Sequence, residues 1–145
     1  MSAIPSTSTS TSSLTAYPLF LRRMLWLDAA TGAATGALQL LLTGWLASFL
    51  GLPETLLQVS GWVMFAYVAG IGFIATRPFV PAPLVWLLIG ANFLWVLGCL
   101  ALLLGDLVMP TLAGKAFIAI QAVTVGLLAE LQWVGLRKAV ARPGW

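Results

Sequence analysis

At 145 residues, with 61% hydrophobic and only 8% charged side chains and a mean hydropathy of +1.02, the chain lies far from soluble domains, in which charged residues make up about a quarter. The length allows one compact unit and no separate extramembrane catalytic module. A net charge of +3 with no histidine and one cysteine argues against nucleic-acid binding, haem ligation, His-based metal sites and dithiol chemistry, since the basic residues stand in short groups beside apolar runs.

In chain order, residues 1–17 contain the low-complexity run STSTSTSSLT, which has nothing to bury and reads as a disordered cytoplasmic tail. It lacks a basic region before an apolar core and so does not read as a cleaved signal peptide. Pro18 suits the first turn of a helix, so 18–25 reads as an interfacial lead-in carrying Arg22 and Arg23.

Four apolar runs follow, at about 24–50, 56–76, 84–104 and 115–136, each near the ~20 residues needed to cross a hydrocarbon core of ~30 Å. The first is longer than required, which implies tilt or a start among the headgroups. The links between runs are short and carry Gly51 and Pro53, then Pro78, Pro81 and Pro83, then Gly105, Pro110 and Gly114. Short links favour antiparallel neighbours. The expected fold is therefore all-α: a polytopic membrane protein whose residues 18–138 form an up-down-up-down bundle of four transmembrane helices, followed by a cytoplasmic tail at 139–145. The runs are too long, and lack the alternation, for barrel strands.

Arg22, Arg23, Arg77, Arg137, Lys138 and Arg142 fall on one side of these spans, and Lys115 with Glu54 and Asp106 on the other. This asymmetry predicts both termini in the cytoplasm of a bacterial inner membrane. Tyr17, Trp26, Trp133 and Trp145 on the first side, with Trp45 and Trp62 on the second, fit interfacial belts.

In the first span Asp28, Thr31, Gly32, Thr35, Gly36, Gln39 and Thr43 recur at spacings of three and four, a polar and small stripe that must avoid lipid. Gly32 and Gly36 form a GxxxG, which suits packing inside the bundle, a homodimer seam, or a polar path for a substrate. Asp28 and Glu130 are acids within apolar sequence, five and seven residues from the nearest flanking arginine, or ~7 to 11 Å along a helix. Neither has a base three or four positions away, so each needs a partner on another helix, interfacial water or a proton. Glu130 shares a face with Ala119, Val123, Gly126, Trp133 and Arg137, and this small-residue face predicts a contact between the first and fourth spans that brings the two acids together as a coupled pair. The alternative is that Arg22, Arg23 or Arg137 pairs with them.

Asn92 stands near the middle of the third span, with Trp95 and Cys99 on its face. An interhelical bond to Gln39 is the expected partner, and a substrate contact is the sharper reading. Gln121 and Gln132 share a face of the fourth span; Gln121 needs another helix, while Gln132 reads as close enough to the cytoplasmic edge to be wetted. The sequence offers no nucleophile with a base, no phosphate loop and no acidic cluster, so neither an enzyme, a cofactor nor a metal is expected.

The runs LRRMLWLDAATGAATGALQLL, LGLPETLL, GANFLW and LLAELQWVGLRK together resemble small, uncharacterised four-helix bacterial inner-membrane proteins, over residues 21–138. GLPETLLQVSGWVMF is locally similar to DoxX-like membrane proteins. The resemblance implies the architecture and no activity. Two functional expectations follow: a non-enzymatic packing, accessory or assembly protein, whose partners are the lipid bilayer and a second copy or larger membrane complex; or a small proton-linked transporter using Asp28 and Glu130, with Gln39 and Asn92 along the path.

Overall fold

The computed structural model describes residues 19–79 and 81–141. The tail at 1–17, Pro18, Arg142 and Trp145 lie outside the described residues. All five regular elements are helices: α1 (Leu19–Leu41), α2 (Thr43–Leu50), α3 (Glu54–Ala75), α4 (Ala82–Leu104) and α5 (Leu112–Ala141). Of these, α3, α4 and α5 are each long and apolar enough to cross a membrane, and α1 with α2 is so only as a bent pair, a broken span or a re-entrant loop.

The break corrects the expectation of one continuous first helix over 24–50. α1 and α2 meet at 92°, where Thr43 turns its hydroxyl onto the helix backbone, as Thr31 and Ser48 do without a break. The Thr43 hydroxyl donates to the Gln39 carbonyl at 2.6 Å and to the Leu40 carbonyl at 3.1 Å. In an unbroken helix the Gln39 carbonyl would take the backbone amide of Thr43, so the side chain competes for the acceptor that continues the helix, and such insertion is a recognised origin of sharp kinks. The excess length of the first run thus includes a short second helix set across α1. α2 buries Leu46 and Leu50 and leaves Trp45 and Phe49 outward, stacked at 5.0 Å.

α2 ends at Gly51, whose φ of 65° places it in the left-handed region. Leu52 N–H then bonds back to the Ala47 carbonyl at 3.1 Å, the six-to-one closure typical of a glycine-terminated helix. Glycine is also required sterically, because a Cβ there would lie 2.9 Å from the amide nitrogen of Thr111. Gly114 on α5 is equally constrained: its missing Cβ makes room for the Leu50 carbonyl.

Other boundaries extend past the apolar runs. α1 starts at Leu19 and α5 continues to Ala141, because Arg22, Arg23, Arg137 and Lys138 are good helix formers that end an apolar run without ending a helix. Lys138 in the last turn of α5 also opposes the negative end of its dipole.

Two close pairs dominate the packing, α1 with α3 and α4 with α5, while α3 and α4 make the weakest contact. Within the first pair, Asp28 meets Tyr67, Gly32 meets Met64 and Val68, Gly36 meets Gly61, and Gln39 meets Ser60; one number rises as the other falls, so α1 and α3 run antiparallel. The GxxxG of α1 is spent on this crossing. Cβ atoms at Gly32 and Gly36 would lie 3.0 Å from Val68 and 3.2 Å from the Gly61 carbonyl, and one at Gly61 would lie 2.8 Å from Leu40. Gly126 differs, since a Cβ there would sit at an ordinary 3.8 Å from Val96. The close glycine of α5 on α1 is Gly135, packed against Phe20 and Leu21.

The pairs are joined at both ends by apolar clusters. Leu21, Leu25, Ile71, Ile74, Val85, Ile89 and Leu136 form one; Leu46, Leu50, Leu52, Leu57, Cys99 and Ile118 form the other, under α2. Between these clusters a cavity opens between the pairs.

Candidate functional site

The gap between the two pairs is a cavity of about 790 Å³, within the range of small-molecule sites. Its walls are mainly aliphatic. Asp28 is the only charged residue that lines it among the described residues.

Asp28 is 3% exposed and is held by one side chain from each of the other three long helices. Its Oδ2 accepts hydrogen bonds from Tyr67 Oη of α3 at 2.8 Å, Asn92 Nδ2 of α4 at 3.0 Å and Gln132 Nε2 of α5 at 2.6 Å. Asn92 Nδ2 also reaches Gln132 Oε1 at 3.3 Å. These bonds fix both amides: turning either would aim an oxygen at the carboxylate. Three donors on one oxygen compensate much of the cost of burying the charge.

The four residues share one level. Asp28 is nine residues from Leu19, Tyr67 eight from Ala75, Asn92 ten from Ala82 and Gln132 nine from Ala141, which is ~12 to 15 Å along each helix. Because α1 starts at Leu19 and not at 24, Asp28 lies more than a turn deeper than the apolar run suggests.

What remains unused at this end of the cavity are acceptors. Asp28 Oδ1 and Asn92 Oδ1 accept nothing from the described residues, yet neither is sealed away from the cavity that both residues line. Further along, Ser60 Oγ donates to Gln39 Oε1 at 2.9 Å, and Trp95 Nε1 donates to Gln121 Oε1 at 3.3 Å. Gln39 is 2% exposed and also lines the cavity.

Several expectations are corrected by this geometry. Asn92 pairs with Asp28 and Gln132, not with Gln39, whose partner is Ser60. Gln132 is fully buried, not wetted. Glu130 does not join Asp28: it is exposed on the outer face of α5 together with Val123, Trp133 and Arg137, so α1 meets α5 through Gln132 and Gly135 instead. Among the described residues no arginine takes Asp28 either; Arg22 donates to the Arg77 carbonyl at 3.1 Å, and Arg137 lies 5.4 Å from the Trp133 ring centroid. Tyr67 escaped the sequence reading, although a phenol in the interior of an apolar helix signals a hydroxyl in need of a partner.

Asp28, Asn92 and Tyr67 thus line one end of an apolar cavity, with Gln132 behind them, an arrangement chemically suited to a single positive charge or a strong hydrogen-bond donor. No family model, curated protein or solved structure matches the chain.

Proposed function

We propose that this chain is a small multi-pass protein of the bacterial inner membrane, an up-down-up-down bundle with both termini in the cytoplasm, that binds a small solute at Asp28 and moves it in exchange for a proton. The observation that carries the reading is Asp28: a buried carboxylate with one oxygen held by three helices and the other left free beside a large cavity. A residue kept only to lock helix register has no need of a cavity. Ionisable groups at such depth in a membrane chain are characteristic of solute or proton paths.

The orientation is supported by Arg22, Arg23, Arg77, Arg137 and Lys138 against Lys115. Of the two functional expectations, the cavity supports transport, and the lining of that cavity by Asp28 but not by Glu130 supports a proposal built on Asp28 alone. The packing role of Gly32 and Gly36 is met within the chain by α3, so these glycines give no independent support to a homodimer seam.

The test is reconstitution in liposomes with a pH gradient imposed across the membrane and a panel of labelled organic cations, neutral solutes and anions outside. Gradient-driven uptake of at least one solute, abolished by Asp28→Asn and retained by Glu130→Gln, is the expected result. Absence of protein-dependent uptake across the whole panel, in both gradient directions, overturns the proposal.

A further inference from the structure

Resting on the reading of the cavity as a solute site, we infer that its ligand is a hydrophobic amine in its protonated form, which enters sideways from the bilayer between α3 and α4. The head group is decided by the unused hydrogen-bonding capacity. Every donor near Asp28 Oδ2 is already committed to that oxygen, whereas Asp28 Oδ1 and Asn92 Oδ1 remain free to accept. A ligand must therefore bring donors. At this end of the cavity an anion would be repelled by the Asp28 carboxylate, the amide nitrogens of Gln39 and Gln121 lying farther along the lining, and a bare metal ion would face aliphatic walls in place of the remaining oxygen ligands it needs. A protonated amine supplies donors and the one positive charge that matches the lone carboxylate.

The rest of the molecule is apolar because the walls are. Met64, Leu57, Leu102, Ile118 and Val125 line the volume beyond Asp28, and the burial of hydrocarbon against them drives binding.

The route follows from where the wall is thin. α3 and α4 make the weakest of the helix contacts, and their lining residues Val63 and Leu94 are 50% and 70% exposed. Ala91 and Gly98 bracket Leu94 at helical spacing and also line the cavity, so small side chains flank the gap. A Cβ at Gly98 would meet nothing within 4 Å. The opening is thus apolar and lies on a flank of the bundle, where acyl chains and not water would surround it.

The experiment uses the full chain in nanodiscs of zwitterionic lipid, with decylamine, decanol and decanoate as probes of equal chain length. Binding is read by calorimetry against empty nanodiscs and by protection of Cys99, the single cysteine, which lines the cavity, from N-ethylmaleimide. Decylamine is expected to bind about ten-fold or more tighter than decanol, the preference a charge-assisted hydrogen bond supplies, and decanoate weakest. Asp28→Asn should remove the preference for the amine, and Gly98→Leu should slow binding several-fold while the fold is kept.

Equal binding of amine and alcohol by the unmodified protein overturns the amine assignment and leaves the cavity as a solute site. Binding of none of the three, by either readout, overturns both. An unchanged binding rate in Gly98→Leu overturns the lateral route alone. The comparison of the three probes on the unmodified chain stands even where Asp28→Asn fails to fold.

Discussion

Gln132 Nε2 donates to Asp28 Oδ2 at 2.6 Å across 104 positions of sequence, while Glu130, two residues earlier on the same helix, faces outward. Two residues are about 200° around a helix, so an acid and an amide two positions apart serve opposite faces. Replacing Gln132 with Leu removes a donor to a buried charge and should cost about 1–3 kcal/mol. Glu130→Leu should change stability by less than about 0.5 kcal/mol, as at other exposed positions. Unfolding of both variants in the same detergent checks this. A loss for Glu130→Leu as large as that for Gln132→Leu would falsify the assignment of Asp28's partner.

The α1–α3 crossing makes a graded prediction for glycines. Gly36→Leu and Gly61→Leu push side chains into Gly61, Met64 and Phe65, or into Leu40, and should each destabilise by about 1–3 kcal/mol through overpacking. Gly126→Ala, with its nearest neighbour at 3.8 Å, should be nearly neutral. Thermal midpoints of the three variants, measured together, should rank in that order; a Gly126→Ala loss equal to the others would show that α4 and α5 approach more closely than described.

Gly51 carries a different cost. With φ at 65° and the Thr111 amide 2.9 Å from its absent Cβ, Gly51→Ala meets both backbone strain and a clash, and should destabilise by more than about 1 kcal/mol. Gly44→Ala on the same short helix, where a Cβ would lie 3.8 Å from Glu54, is the control. Similar unfolding midpoints for the two would mean that the left-handed closure of α2 is not needed.

Topology can be read with single cysteines placed in a Cys99→Ala background. Arg77→Cys and Lys138→Cys should react with an impermeant maleimide only from the cytoplasmic face, and Asp106→Cys only from the opposite face, as the basic residues require. Labelling of Arg77→Cys and Asp106→Cys from the same face would break the four-span arrangement.

The helical type and the approximate places of the apolar runs were legible in the sequence, though not the division of the first run into two helices, because a bilayer demands long apolar runs and leaves helix as the economical way to satisfy the backbone within them. The polar stripe of α1 was legible in part for the same reason: side chains that lipid rejects must face protein, and Asp28, Gly32, Gly36 and Gln39 are all buried, whereas Thr31 is exposed and turns its hydroxyl back onto its own helix. Partner choice was not legible. Whether Asn92 meets Gln39 or Asp28, and whether α5 offers Glu130 or Gln132, depends on where each helix starts and how it is rotated. A shift of a few residues in the start of α1 moves Asp28 by more than a turn.

The bend at Thr43 was hidden too, because one hydroxyl competing for one carbonyl leaves no mark on an apolar run. The sequence by itself determined a helical chain with four long apolar runs and a first run whose polar stripe must avoid lipid, since hydrophobic length and periodicity are local properties. Only the tertiary structure decided that four helices meet around one carboxylate beside a cavity, because that depends on register between segments up to 104 residues apart.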